Sequence, residues 1–319
     1  MRRRTVLLGA LSAATLAGCG TLGAPQTAAL NAAAPAGLPL RAELVATPFF
    51  PQTRFHCGPA ALATVLEHAG LRANPEALAD AVFLPAREGA LQTEMLAAAR
   101  RQGALAVPLP PTLDALLREV AAGHSVVILQ NLGLAFATRW HYAVLVGYDL
   151  AQGELVLRSG TTEREVMPFT LFERTWARGG HWAFVALPPG RLPATAREAD
   201  AVQAAIGFER VATPAQALRA YDSLLERWPD NLLAGLGQGN ARFADGDVAG
   251  AALAFERGAL RHDSAAAWIN LAQVRRQLGQ RDGALEAARR AVLRASAAEP
   301  QWLDTAQQTL TAVQGRTGP

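Results

Sequence analysis

The chain has 319 residues, half of them hydrophobic and 18% charged, with a formal net charge of +3. That balance excludes a chain disordered throughout and suits two modest domains better than one. Every one of the 30 basic residues is Arg, none forms a stripe interleaved with aromatics, and a nucleic-acid partner is not expected. Only two cysteines are present, Cys19 and Cys57. A disulfide between a leader segment and a domain core would be unusual, so each is read separately.

Residues 1–19 read as an export signal. Arg2, Arg3 and Arg4 form a positive start, and Thr5 to Leu16 is an apolar stretch too short to cross a bilayer, which takes roughly 20 residues. The stretch ends in Leu16-Ala17-Gly18-Cys19, which resembles the lipobox of bacterial lipoproteins. The resemblance implies cleavage before Cys19 and lipid attachment to it. It also implies a place in the bacterial cell envelope, with the outer membrane facing the periplasm preferred because Gly20, not Asp, follows. Residues 20–41, rich in Ala, Gly, Pro and Thr, are expected to be a flexible tether. No later run of about 18 apolar residues occurs, so the lipid is the expected membrane contact.

Residues 42–190 are expected to form the first folded domain. Its central segment is Gln52-Thr53-Arg54-Phe55-His56-Cys57-Gly58-Pro59-Ala60-Ala61-Leu62. From Cys57 the spacing of Leu62, Val65, Leu66 and Ala69 predicts a helix that Gly70 stops. Pro59 in the first turn sacrifices no helical hydrogen bond. Cys57 therefore sits at a helix N-terminus, where partial positive charge favours a thiolate, the form that attacks a carbonyl.

A thiolate needs a general base, which can lie far off in sequence. Of the six histidines, His68 falls late in the Cys57 helix, His262 lies in the C-terminal region, His56 is an immediate neighbour pointing elsewhere, and His124 precedes the strand Val126 to Leu129. His141 opens the apolar run to Asp149, a strand whose hairpin partner is Glu154 to Leu157. His141 is the assigned base. His181, at the head of a strand expected over residues 181–187, is the second choice.

Gln52, Cys57-Gly58-Pro59 with its Ala-Ala-Leu continuation, and His141 before Val-Leu-Val-Gly-Tyr-Asp together resemble the bacteriocin-processing peptidase-like branch of the papain superfamily. The resemblance covers nearly all of this domain and implies an α+β papain-like cysteine peptidase fold. It also implies that the Gln52 side chain and the Cys57 amide form the oxyanion hole. The family commonly places Asp on the strand after the histidine to orient the imidazole; here Ser159 occupies that position. Asp149 is about 8 residues along the strand from His141, roughly 26 Å at 3.3 Å per residue, and cannot substitute. Ser159, Thr161 and Asn131 remain the candidates to hold the ring. A neutral partner fixes the tautomer but steadies an imidazolium less than a carboxylate does.

Over residues 195–315 the sequence becomes Ala-rich and helical. Ala217…Tyr221, Ala251…Phe255 and Ala284…Ala288 recur with starts 34 and 33 residues apart. This is similar to tetratricopeptide repeats, about three of them with a capping helix near 299–313, and implies an all-α solenoid that presents a surface to a protein. The expected activity is thiol peptide or amide hydrolysis on a peptide or protein substrate, the repeats binding substrate or partner, with no cofactor or metal. A degenerate peptidase fold serving as a scaffold, and acyl transfer by the same Cys–His pair, are the alternatives.

Overall fold

The computed structural model describes residues 23–51, 57–84, 89–134 and 136–315. Helix α1 (Pro25–Ala32) and strand β1 (Arg41–Glu43) lead into α2 (Cys57–His68), α3 (Pro75–Val82), the small hairpin β2 (Phe83–Leu84) and β3 (Gly89–Ala90), and α4 (Gln92–Arg101). Then come β4 (Leu105–Pro108), α5 (Leu113–Ala121), β5 (Val126–Asn131), β6 (Trp140–Asp149), β7 (Glu154–Ser159), β8 (Thr162–Pro168), α6 (Phe169–Arg178) and β9 (Ala183–Leu187). The main sheet runs β4-β9-β5-β6-β7-β8, with β1 added alongside the far half of β6, and every pairing is antiparallel.

Strand alternation divides the core in two. Tyr142, Val144 and Val146 of β6, with Val127 and Leu129 of β5, face Leu62, Val65 and Leu66 of α2 and Met95 of α4. Ala143 and Leu145, with Val126, Ile128 and Leu157, face Leu116 and Leu117 of α5 and Phe172 and Trp176 of α6. Because both faces are covered, β5 is buried along its whole length, which is why it reads as a continuous apolar run in sequence.

The segment expected to be a flexible tether is not one from Pro25 onward. The buried Glu173 carboxylate of α6 accepts the Gln26 and Thr27 backbone N–H groups at 2.9 and 2.7 Å and the Thr27 hydroxyl at 2.7 Å, so it caps α1. The Gln26 side chain accepts from Leu113 N at 2.6 Å, and Leu40 O accepts from Leu150 N at 2.8 Å. The composition concealed this docking, since its acceptor lies nearly 150 residues away.

The C-terminal region is helical: α7 (Glu198–Glu209), α8 (Pro214–Arg227), α9 (Leu232–Ala244), α10 (Val248–His262), α11 (Ala265–Gln277), α12 (Arg281–Ala298) and α13 (Leu303–Val313). Side-chain caps start several of these helices. Thr213 and Gln216 form a reciprocal capping box, while Asn231 and Asp247 accept from Ala234 N and Gly250 N. Small residues let the helices close up. A Cβ on Gly237 would lie 2.2 Å from the Tyr221 ring, and one on Gly239 would lie 2.3 Å from Phe255. This region is continuous with the first, because Leu105 and Val107 of edge strand β4 share one core cluster with Val202 and Phe208 of α7. Among the described residues, no helix is long and apolar enough to cross a membrane.

Candidate active site

Helix α2 begins at Cys57, and residues 58–66 behind it are buried without interruption. Gly58 is required by close packing: a Cβ there would lie 2.9 Å from Ala90 Cβ and 3.2 Å from Met95 Sδ. The helix thus seats its first turn directly against the β2–β3 hairpin and α4. Tyr142, the residue after His141, holds the other side. Its hydroxyl donates to Ala90 O at 3.1 Å, and its ring meets Trp182 edge-on at 5.8 Å.

Cys57 packs against the core cluster that includes Tyr142, which places the thiol beside the mouth of β6. Burial pushes this thiol above its ordinary range; the amides of Tyr142, Gly58 and Cys57 itself recover part of the shift. Burial thus opposes the thiolate that the helix start favours.

His141 lies at the entrance of β6, and its Nε2 is 2.9 Å from Ser159 Oγ, where β7 ends. Ser159 is 8% exposed. The β6–β7 ladder last pairs at Val144 and Arg158, so the two strands are unladdered where His141 and Ser159 meet. Burial lowers the imidazole pKa, the Glu165 carboxylate opposes this, and Arg139 adds to it.

The buried Arg158 holds this corner in place. Its guanidinium donates to Glu163 O at 2.7 Å and to Thr47 O at 3.2 and 3.3 Å, tying the β7–β8 hairpin to the segment before α2.

The other candidates for the orienting role lie elsewhere. Asn131 Oδ1 accepts from Gly133 N and Arg139 N, both at 2.9 Å, and closes the loop between β5 and β6. Thr161 is exposed in the β7–β8 turn. Asp149 caps the β6–β7 turn by accepting from Ala151 N and Gln152 N.

Among the histidines, His68 pairs with Ser125 Oγ at 3.0 Å and His124 with Glu119 at 2.7 Å. His181, the second choice for base, sits at φ +53° in the turn after α6 with its ring against Trp176, and strand β9 starts only at Ala183. Gln52, His56 and Cys19 lie outside the described residues.

Sequence reasoning passed over Glu119. It is fully buried and gathers His124 Nδ1, the backbone N–H groups of Ala194 and Thr195, and the Thr195 hydroxyl. It therefore joins the α/β domain to the segment leading into α7. The apolar pattern of α5 gave no signal beyond an acidic residue on the buried face.

Residues 45–183 match the model of the Peptidase_C39 like family. No curated protein matches the chain. Among solved structures, the chain is similar to a putative C39-like peptidase from Bacillus anthracis at 20% identity, over 46% of this chain and 97% of that one, with a TM-score of 0.39. It is similar to the peptidase domain of Streptococcus ComA, a bifunctional ABC transporter, at 18% identity over 44% and 98%, with a TM-score of 0.37. A third similarity is to the Yersinia enterocolitica type III secretion translocator chaperone SycD, at 17% identity over 37% and 91%, with a TM-score of 0.34. The stretch that matches this family model lies within the mixed α/β region, which is followed by a helical C-terminal region.

Proposed function

We propose that the protein is a cysteine peptidase of the bacterial cell envelope, with Cys57 as nucleophile and His141 as general base. The observation that carries the reading is a convergence at one strand end: Cys57 packs with Tyr142, and the adjacent His141 has its Nε2 2.9 Å from Ser159 Oγ. With the proton on Nε2 donated to Ser159, Nδ1 is the nitrogen left to take the thiol proton. The raised thiol and lowered imidazole make the resting pair neutral. His141 therefore removes the Cys57 proton as sulfur attacks the substrate carbonyl, and returns it to the leaving amine. Water then hydrolyses the thioester. Gln52 and the Cys57 amide would receive the developing oxyanion.

Cys19 is the proposed lipid attachment point, on an outer membrane facing the periplasm. The helices α7–α13 are proposed to be tetratricopeptide repeats that bind the substrate or a protein partner. In support, α8, α10 and α12 begin 34 and 33 residues apart, and α9 to α13 each pack on their sequence neighbour.

Iodoacetamide labelling of the full chain, mapped by mass spectrometry, tests the site. Labelling of Cys57 is expected to rise with pH to an inflection above that of a free thiol, and His141→Ala is expected to slow it at neutral pH. Equal rates in the two proteins would leave a binding scaffold as the better reading. An inflection below pH 6 would instead show a preformed ion pair.

A further inference from the structure

The segment between β9 and α7 is held to the α/β domain by a polar cluster that the proposed chemistry does not use. Glu119 of α5 is its centre. The Ala194 and Thr195 backbone N–H groups donate to this carboxylate at 3.1 and 2.6 Å, and the Thr195 hydroxyl at 2.6 Å. His124, 7% exposed, sits between Glu119 and Arg191. Its Nδ1 is 2.7 Å from Glu119 Oε2, and its Nε2 is 3.3 Å from Arg191 Nη2. A guanidinium only donates, so Nε2 is the acceptor, the ring is neutral, and Nδ1 carries the proton that goes to Glu119.

A second proton on this ring would act oppositely on its two partners. It strengthens the bond to the Glu119 carboxylate. At Nε2 it removes the acceptor and sets an imidazolium against a guanidinium. Glu119 is fully buried and tied by four donors, whereas Arg191 is exposed and gives up little by turning to water.

The other charged groups around the ring leave this choice intact. His68 of α2 pairs with Ser125 Oγ at 3.0 Å. Burial first, then the charges of His124, Arg191 and Arg158, hold the His68 imidazole below its usual range, so it resists bringing a further charge into the cluster. Arg227 of α8 donates to Pro193 O and Ala194 O at 2.7 and 2.9 Å, and as an arginine it keeps its charge throughout.

We propose that His124 is an acid-sensitive latch on the turn from Pro188 to Arg191, where β9 hands over to the helical region. The neutral ring holds Arg191 and keeps the turn closed. The charged ring releases Arg191, while Glu119 and Arg227 retain residues 193–195. Within the turn the Arg191 N–H donates to Pro188 O at 3.2 Å, with Gly190 at φ +99°, so this amide reports the closed state. The inference stands independently of the peptidase reading.

Backbone amide exchange of the full chain, corrected for the pH dependence of an unstructured amide, tests the latch from about pH 8 to about pH 5, the span over which histidine changes charge. Glu119 stays ionised over that span: burial would raise its carboxyl, but hydrogen bonds from His124 and Thr195 hold it below its usual 4.5. On acidification the Arg191 amide is expected to lose protection roughly threefold or more, while the Thr195 amide stays within about twofold. Arg191→Met, at an exposed position, is expected to leave the amide at position 191 weakly protected at both ends of the range. His68→Gln is expected to keep the native profile. A flat native profile, or an acid loss that persists in Arg191→Met, overturns the latch. So does a Thr195 amide that loosens in step, since the acid would then act on Glu119. A profile abolished by His68→Gln overturns it as well, because His68 would be the sensor.

Discussion

Ser159 offers the sharpest test of the proposed chemistry, because it stands where a carboxylate was expected and its hydroxyl lies 2.9 Å from His141 Nε2. In Ser159→Ala the ring N–H loses its acceptor in a corner that water barely reaches. A buried donor left unpaired costs about 1–3 kcal/mol. If the imidazolium bears that loss in the transition state, Cys57 alkylation slows about 5- to 150-fold, at 1.36 kcal/mol per decade. Ser159→Asp makes the opposite change. Net values of about 1.5–3 kcal/mol for hydrogen bonds to charged groups, against about 0.5–1.5 for neutral ones, leave a gain near 1–1.5 kcal/mol. That gain corresponds to a rise of about one unit in the His141 pKa. Rates come from stopped alkylation and the imidazole pKa from proton resonances of the ring. An Ala variant within twofold of native, or an Asp variant whose imidazole pKa falls, would refute the assignment of Ser159 as the orienting group.

Two further changes probe the frame around the site. Gly58→Ala must push a methyl into Ala90 Cβ and Met95 Sδ, and overpacking of this kind costs about 1–3 kcal/mol, so thermal or urea unfolding is expected to shift to lower values. Glu119 is held below its usual pKa of 4.5: burial alone would raise it, but hydrogen bonds from His124 and Thr195 outweigh that effect. Its stabilisation is therefore complete above the unfolded carboxylate pKa and is lost as pH falls through the lower folded value. Glu119→Gln is expected to flatten the acid limb of a stability–pH curve measured by urea unfolding, and an unchanged limb would show that other groups set it.

Much of the α/β domain is legible because its signals are local. The apolar spacing from Leu62 to Leu66 gives α2, the continuous runs give β5 and β6, and the Gly160 turn with Ser159 beside it gives the end of β7. That His141 and Ser159 come near each other could be anticipated from the hairpin, but not their pairing, because the register shifts at a bulge between Leu145 and Gly147 and the ladder ends at Val144 and Arg158. What escaped was non-local. Glu173 capping α1 and Glu119 gripping Thr195 join segments 146 and 76 residues apart, and no periodicity in either partner announces them. The closing of the β5–β6 loop was missed for a related reason. Asn131 reads as a possible ring-orienting group until its two backbone donors are seen, one of them 8 residues away.

The surroundings of Cys57 show how a local influence can be opposed by packing from elsewhere in the chain. The helix start was legible, and so was its field. The depth of the pocket was not, because it is set by Tyr142, Ala90 and Met95 arriving from other elements. With the thiol raised and the imidazole lowered, ionising both together would place two charges where water is scarce. A neutral Ser159 suits that resting state, since a buried carboxylate beside a neutral ring would itself need compensation. The imidazolium formed during attack is transient, and Glu165 on β8, one strand beyond β7, is the carboxylate whose field favours it. In the proposed mechanism, the Asp expected from the family pattern is thus replaced by two groups. Ser159 fixes the ring, and Glu165, reaching the ring through its field alone, offsets part of the charge that appears only when Cys57 reacts.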